Sequence, residues 1–309
     1  MQILAGVGAA ARVSVAGYFA AGDDGAAGIA FNNIDRIAFP ADTKTTLSAT
    51  LPSNITSGAS FSNSGVAGYF AGGYTTSAQS SIQKLTYSGE TISTLSATLT
   101  TGRYGNAGFS NTGVAGYAGG GLDSTYISGI DKITFPADTK STLSATLTSA
   151  RYYLAGLADY GVAGYFGGGN DGALYISGID KITFPADTKT TLSATLTSAR
   201  FGLTGMANSG VAGYFAGGYD TAEISGIDKI TFPADTKTTL SATLTNAKLY
   251  LSGMADSGVA GYLAGGQALA GDTNTIDRIA FPADTKTTLG ATLTSIRRRP
   301  YGLADCGVF

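Results

Sequence analysis

One phrase, Gly-Tyr-Phe-Ala-Gly-Gly or a close variant, occurs six times in this chain, with its tyrosine at Tyr18, Tyr69, Tyr117, Tyr165, Tyr214 and Tyr262. The spacings are 51, 48, 48, 49 and 48 residues. Each copy is followed by an Ile-Asp-Lys-Ile-Thr-Phe-type run and then a Thr-Leu-Ser-Ala-Thr-Leu-type run. A unit of this length cannot bury its apolar residues alone and must stack on its neighbours. The period therefore constrains the fold to a propeller or a solenoid.

The copy from Arg200 to Thr245 shows what one unit contains. Phe201 to Ala207 is short, small and apolar, and Asn208-Ser209-Gly210 supplies a turn. Val211 to Ala216 reads as a second strand, ended by Gly217-Gly218. Ile227 to Phe232 is β-branched and aromatic, as a third strand requires. Pro233 to Thr236 is a turn, and Thr238 to Leu244 reads as a fourth strand. No 3.6-residue periodicity is present. The expectation is an all-β, six-bladed β-propeller of four-stranded antiparallel blades, with the glycine-rich strand innermost. The copies run end to end without a linker, so residues 1–309 are read as a single domain.

The ends of the chain favour a ring over a solenoid. Tyr301-Gly-Leu-Ala-Asp-Cys306 matches an inner strand and then stops, whereas the first copy lacks a clean inner strand before Tyr18. The ring is therefore expected to close by pairing the C-terminal strand with the first blade. Leu4-Ala5-Gly6 is the competing segment.

Composition removes whole classes of function. There is no histidine and one cysteine, Cys306, so histidine metal sites, histidine-assisted nucleophiles and internal disulfides are excluded. A net charge of −2 without a basic stripe argues against nucleic acid. The one basic run, Arg297-Arg298-Arg299, reads as a solvated turn. No apolar run reaches the ~20 residues of a membrane-spanning helix. Residues 1–22 lack the basic start of a secretory signal, so they are read as part of the fold. The 21 acidic residues recur at repeated positions rather than as a facing pair, and no glycine-rich turn opens a helix. No enzyme activity and no cofactor are expected.

The unit resembles the kelch repeat. Arg200, Tyr214, Gly217-Gly218 and Ile227 to Phe232 follow the order of that family's landmarks, and the likeness covers nearly the whole chain. The tryptophan usual on the fourth strand is absent; Leu240 and its counterparts Leu47, Leu95, Leu143, Leu192 and Leu289 stand near its place. The resemblance implies a propeller. It also implies that the copper oxidase chemistry of some kelch-type proteins does not carry over, because its histidine ligands are missing. The Gly-Tyr-Phe-Ala-Gly-Gly repeats are similar, more distantly, to those of bacteriophage virion and bacterial surface proteins.

Strand order places the second-to-third and fourth-to-first loops on one face. The nearly invariant Asn-Ser-Gly and Pro-Ala-Asp-Thr turns fall on the other. The first face carries the differences between copies, and the candidate ligand-binding residues lie on it: Tyr74, Arg103, Tyr104, Asp123, Arg151, Tyr152, Asp171, Arg200, Phe201, Tyr219, Asp220 and Lys248. Aromatic, basic and acidic groups in alternation suit a glycan or a protein partner. Plainer roles exist for some of them: the Arg or Lys at each junction can brace adjacent blades, and the Asp of Ile-Asp-Lys-Ile can be a cross-strand partner. The expected function is a binding or structural module of a virus particle, a phage tail or capsid appendage, that recognises a host surface glycan or a neighbouring virion protein. The expected location is the virion or an extracellular surface. The alternatives are a free multivalent bacterial lectin gaining avidity from similar sites, and a cytoplasmic kelch-type scaffold.

Overall fold

The computed structural model describes residues 16–305. Among them every regular element is a β-strand. Six sheets have four antiparallel strands each, and two small sheets of three and two strands decorate the loops. The fifth repeat is representative: Thr204–Asn208, Ala212–Ala216, Ile227–Thr231 and Thr236–Thr239 pair in that order. Each four-stranded sheet is one blade of a propeller-like repeat.

Sequence reading misplaced the outer strand. It ends at Thr239 rather than running to Leu244. Asp235 adopts a positive φ of 54°, which Asp tolerates, and this tightens the turn so that pairing restarts at Thr236. After Thr239 the chain leaves the blade. Leu240 and Leu244 donate backbone hydrogen bonds to Ile227 and Ser225, and buried Leu244 leads into the next repeat.

The glycines of the repeated phrase mark close approaches between blades. A Cβ on Gly164 would overlap the Phe109 ring of the preceding blade, and one on Gly17 would overlap Met254. The glycine before each tyrosine is thus a hole for a side chain from the neighbouring inner strand. The double glycine ends the second strand with two positive φ angles, 66° at Gly217 and 107° at Gly218. The Gly218 amide then donates to the Lys248 carbonyl at 2.9 Å, tying one blade to the start of the next.

Two polar networks join successive blades. Near the invariant face, the tyrosine of one repeat donates to a turn carboxylate of the next, and a Lys or Arg pairs with the same carboxylate. Tyr69 and Lys84 reach Asp138 at 2.7 and 2.6 Å. Tyr262 reaches Asp42 at 2.6 Å, 220 residues away in sequence, and Arg278 joins it at 3.2 Å. Toward the other face, a buried aspartate on the third strand gathers a threonine, a basic residue and an outer-strand lysine. Asp180 accepts the Thr148 amide and hydroxyl at 2.9 and 2.6 Å, and pairs with Arg151 at 3.1 Å. Asp35 repeats this with Thr294 and Arg297.

The first blade takes its inner strand from Tyr301–Ala304, which pairs antiparallel with Ala16–Ala20 in the register Gly17↔Ala304 to Ala20↔Tyr301. The competing segment Leu4-Ala5-Gly6 and the end of the C-terminal copy, including Cys306, lie outside the described residues.

Candidate functional site

The site grows out of the fourth-to-first loops. Five of the six begin with a basic junction residue, Arg103, Arg151, Arg200, Lys248 or Arg297, and the sixth with Ile55; all six are buried. Arg103 contacts Asp131, and Arg151, Arg200 and Lys248 lie 3.1, 2.9 and 3.6 Å from Asp180, Asp228 and Asp277. Burial pushes these carboxyls up, but hydrogen bonds from threonine and the nearby cation outweigh it and hold them below the usual carboxylate range. Arg103, Arg151, Arg200 and Lys248, read from the sequence both as rim residues and as braces between blades, are therefore buried and paired with aspartates, as the brace role requires. Their type satisfied the rim pattern, but the partner that buries them lies about 30 residues later in sequence, as in the Arg103–Asp131 pair.

What the braces position are the next two residues of each loop. The first of the two is Thr56, Tyr104, Tyr152, Phe201, Leu249 or Arg298. The second is Ser57, Gly105, Tyr153, Gly202, Tyr250 or Arg299, and all six have φ between 50° and 66°. This second set is linked by backbone hydrogen bonds into a cycle. The amides of Gly105, Tyr153, Gly202, Tyr250 and Arg299 donate to the carbonyls of Ser57, Gly105, Tyr153, Gly202 and Tyr250 at 2.6–2.8 Å. The Ser57 amide returns to the Arg299 carbonyl at 3.2 Å. Glycine takes this left-handed conformation freely; Tyr153, Tyr250 and Arg299 pay about 1 kcal/mol or more each. Strain of this kind persists where the surrounding structure enforces it, and it gathers at binding sites.

Ser57, Tyr153, Tyr250 and Arg299 separate two spaces. Beneath them lies a cavity of about 100 Å³, lined by the inner strands. Above them a depression of about 530 Å³ opens on the variable face, within the range of ligand sites. Its walls are aromatic. Tyr74 meets Tyr104 at 5.2 Å between ring centroids, Tyr152 packs on Tyr153 at 4.6 Å, and Tyr153 on Tyr250 at 4.7 Å. Phe201, Tyr175 and Tyr219 continue the cluster, and Tyr126 packs against Tyr152 at 5.5 Å. Burial raises the hydroxyl pKa of Tyr104 and Tyr152, so both remain protonated donors at neutral pH.

One side of the depression is charged. Asp23, almost fully buried, accepts from Arg299 Nε and Nη2 at 2.9 and 2.7 Å and from Arg298 Nε at 3.1 Å. Arg298 Nη1 also donates to Gln267 Oε1 at 2.8 Å. Two hairpins stand behind this cluster: Asp23–Asp24 with Ile29–Ala30, and Gln267–Ala268 with Gly271–Asp272. The Gly25 amide joins them by donating to Asp272 at 2.6 Å.

The twelve candidate residues thus divide. Tyr74, Tyr104, Tyr152, Phe201 and Tyr219 meet in one aromatic cluster. Asp171 and Asp220 close their own loops by accepting backbone amides, from Ala173 and Leu174 and from Thr221 and Ala222. Asp123 is exposed at a loop tip. None of these three lines the depression. The basic run is also not a solvated turn: Arg297 is buried, and Arg298 and Arg299 are held by Asp23. Sequence reasoning did not assign Tyr126, Tyr153, Tyr175, Tyr250 or the Asp23–Arg298–Arg299 cluster to a site. A signal for Tyr153, Tyr250 and Arg299 existed: their position alternates with Gly105 and Gly202, which marks a left-handed conformation forced on large side chains.

No family model matches the chain, and no curated protein is similar to it in sequence.

Proposed function

We propose that this chain is a non-enzymatic recognition module: a closed, six-bladed, kelch-like propeller, carried on a virus particle, that binds a host surface glycan in the aromatic depression over its axis. The observation that carries the reading is the convergence of Tyr74, Tyr104, Tyr152, Tyr153 and Tyr250 with Asp23, Arg298 and Arg299 around one concavity of about 530 Å³. Pyranose rings offer apolar C–H faces that stack on tyrosine, and hydroxyls that pair with guanidinium, carboxylate and phenol groups.

Closure is supported by contacts that return from the sixth repeat to the first: Tyr301–Ala304 beside Ala16–Ala20, Tyr262 to Asp42, Thr294 to Asp35, and Ser57 to Arg299. A closed ring buries the apolar blade faces that the two ends of an open arc would expose. The absence of catalysis is supported by the state of Asp23, the one carboxylate in the described lining: two guanidiniums occupy both its oxygens, so it is not a base or nucleophile. The virion setting rests on the near-identical, threonine-rich repeats of the sequence.

A glycan-array screen of the purified chain tests the reading, with Tyr153→Gly/Tyr250→Gly as its control. Glycine occupies this position in two other repeats, so the fold is expected to survive while binding is lost. A chain that binds no glycan, but is recovered in purified particles, points instead to a purely structural virion role.

A further inference from the structure

We infer that the ligand of the axial depression is an acidic sugar, bound through a carboxylate at the Arg298 side; this rests on the glycan reading above. The lining holds two guanidiniums and, among the described residues, one carboxylate. Arg299 commits Nε and Nη2 to Asp23; Arg298 commits Nε to the same group and one Nη1 hydrogen to Gln267, which leaves its second Nη1 hydrogen and its Nη2 hydrogens for a ligand. Asp23 therefore balances one of the two cations and leaves a unit of positive charge on the wall. Asp24 and Asp272 also carry charge close by, but neither lines the depression, so the lining itself stays cationic. Asp24 accepts the Ala26 and Ala27 amides within its own hairpin, and Asp272 accepts the Gly25 amide. Around the rest of the wall the side chains are neutral tyrosines, threonines and serine.

The geometry adds direction. Both arginine side chains are about one-quarter exposed, and they sit where the loop pair of the last repeat replaces Tyr104-Gly105 or Tyr152-Tyr153 of the others. A planar guanidinium matches a carboxylate with paired hydrogen bonds, and it does so better where water is partly excluded. A sugar ring stacked on the tyrosines would bring its carboxylate to this end. The depression is thus polarised: aromatic from Tyr74 of the second repeat round to Tyr250 of the sixth, cationic where the sixth meets the first.

The test is calorimetric titration of the full chain with oligomers of galacturonate, mannuronate and sialic acid, and with the same oligomers after carboxyl reduction. Binding of an acidic oligomer is expected to exceed that of its neutral counterpart at least tenfold and to weaken with salt. Arg298→Gln is expected to abolish that preference, lowering the acidic oligomer's affinity at least tenfold and the neutral counterpart's far less, with circular dichroism confirming that the fold is kept. Arg298→Lys, which keeps the charge but not the fork, is expected to fall between the two. Equal binding of an acidic oligomer and its neutral counterpart, or binding of neutral oligomers alone, overturns the acidic-sugar inference and leaves the glycan reading intact. Binding of neither series overturns both.

Discussion

Asp131, Asp180, Asp228, Asp277 and Asp35 are almost fully buried, each held by a threonine and a cation from the fourth-to-first loop that leads into its repeat. Removing one partner leaves the other as an uncompensated buried charge. Asp180→Ala is expected to cost about 3–5 kcal/mol, seen as a lowered denaturation midpoint with an unchanged m-value. The folded-state pKa of these aspartates is depressed. Their contribution is therefore complete above the unfolded value of about 4 and lost as pH falls through the folded value. Thermal scans are expected to show steep acid destabilisation below about pH 4, reduced in Asp180→Asn. Asp256 behaves oppositely. Burial, with Asp305 and Asp42 nearby and Arg278 only partly opposing them, raises its pKa to about 6. A raised carboxyl favours the fold only when protonated, so it costs stability above pH 6 and ceases to do so as pH falls toward 4. Asn63, Asn111 and Asn208 fill the matching position in three repeats. Asp256→Asn is expected to stabilise the fold at pH 7 by about 1 kcal/mol, and the gain should vanish near pH 4.

At the scale of elements, the junction between the first and second repeats departs from the other five. Where these carry Thr, Arg or Lys, Asp and Lys, this one has Pro52, Ile55, Gln83 and Ile92. All four members of the network are replaced together, which indicates that they act as a unit. Ile55 and Ile92 instead join an apolar cluster with Leu51, Leu95 and Leu99. Installing Arg at position 55 alone buries an unpaired charge and is expected to destabilise by several kcal/mol, whereas adding Gln83→Asp should recover a large part of the loss. Additive effects in a double-mutant cycle would contradict the idea of a unit. The glycine holes make a second expectation. Gly164→Ala forces a methyl group against the Phe109 ring and should cost about 1–3 kcal/mol in chemical denaturation, while Gly290→Ala, beside open space and without a positive φ, should cost less.

At the scale of the whole molecule, a chain cut before Pro300 loses the strand beside Ala16–Ala20 and is expected to unfold less cooperatively; a peptide spanning residues 300–309 should restore it. Much of the architecture was legible because each strand recurs with the same spacing, so Gly-Tyr-Phe and Ile-Asp-Lys-Ile announced their own pairing. The outer strand was less legible, since a run of Thr, Leu and Ser looks alike whether it pairs or crosses to the next blade. Half of the site was legible for a related reason. Variation between copies marked Tyr74, Tyr104 and Tyr152, but it marked Arg151 and Arg200 equally, and only three-dimensional pairing with Asp180 and Asp228 shows that these are buried. Six copies also suggested several similar rim sites. The loops instead contribute unlike residues to one shared depression: Thr56 and Ser57, Tyr104, Tyr152 and Tyr153, Tyr250, and Arg298 and Arg299. That difference separates a multivalent lectin from the single composite site proposed above. The most direct test is the stoichiometry of glycan binding to the full chain by calorimetry. The account predicts one ligand per chain, with binding lost in Tyr153→Gly/Tyr250→Gly. Several equivalent ligands per chain, or undiminished binding by that variant, would contradict it.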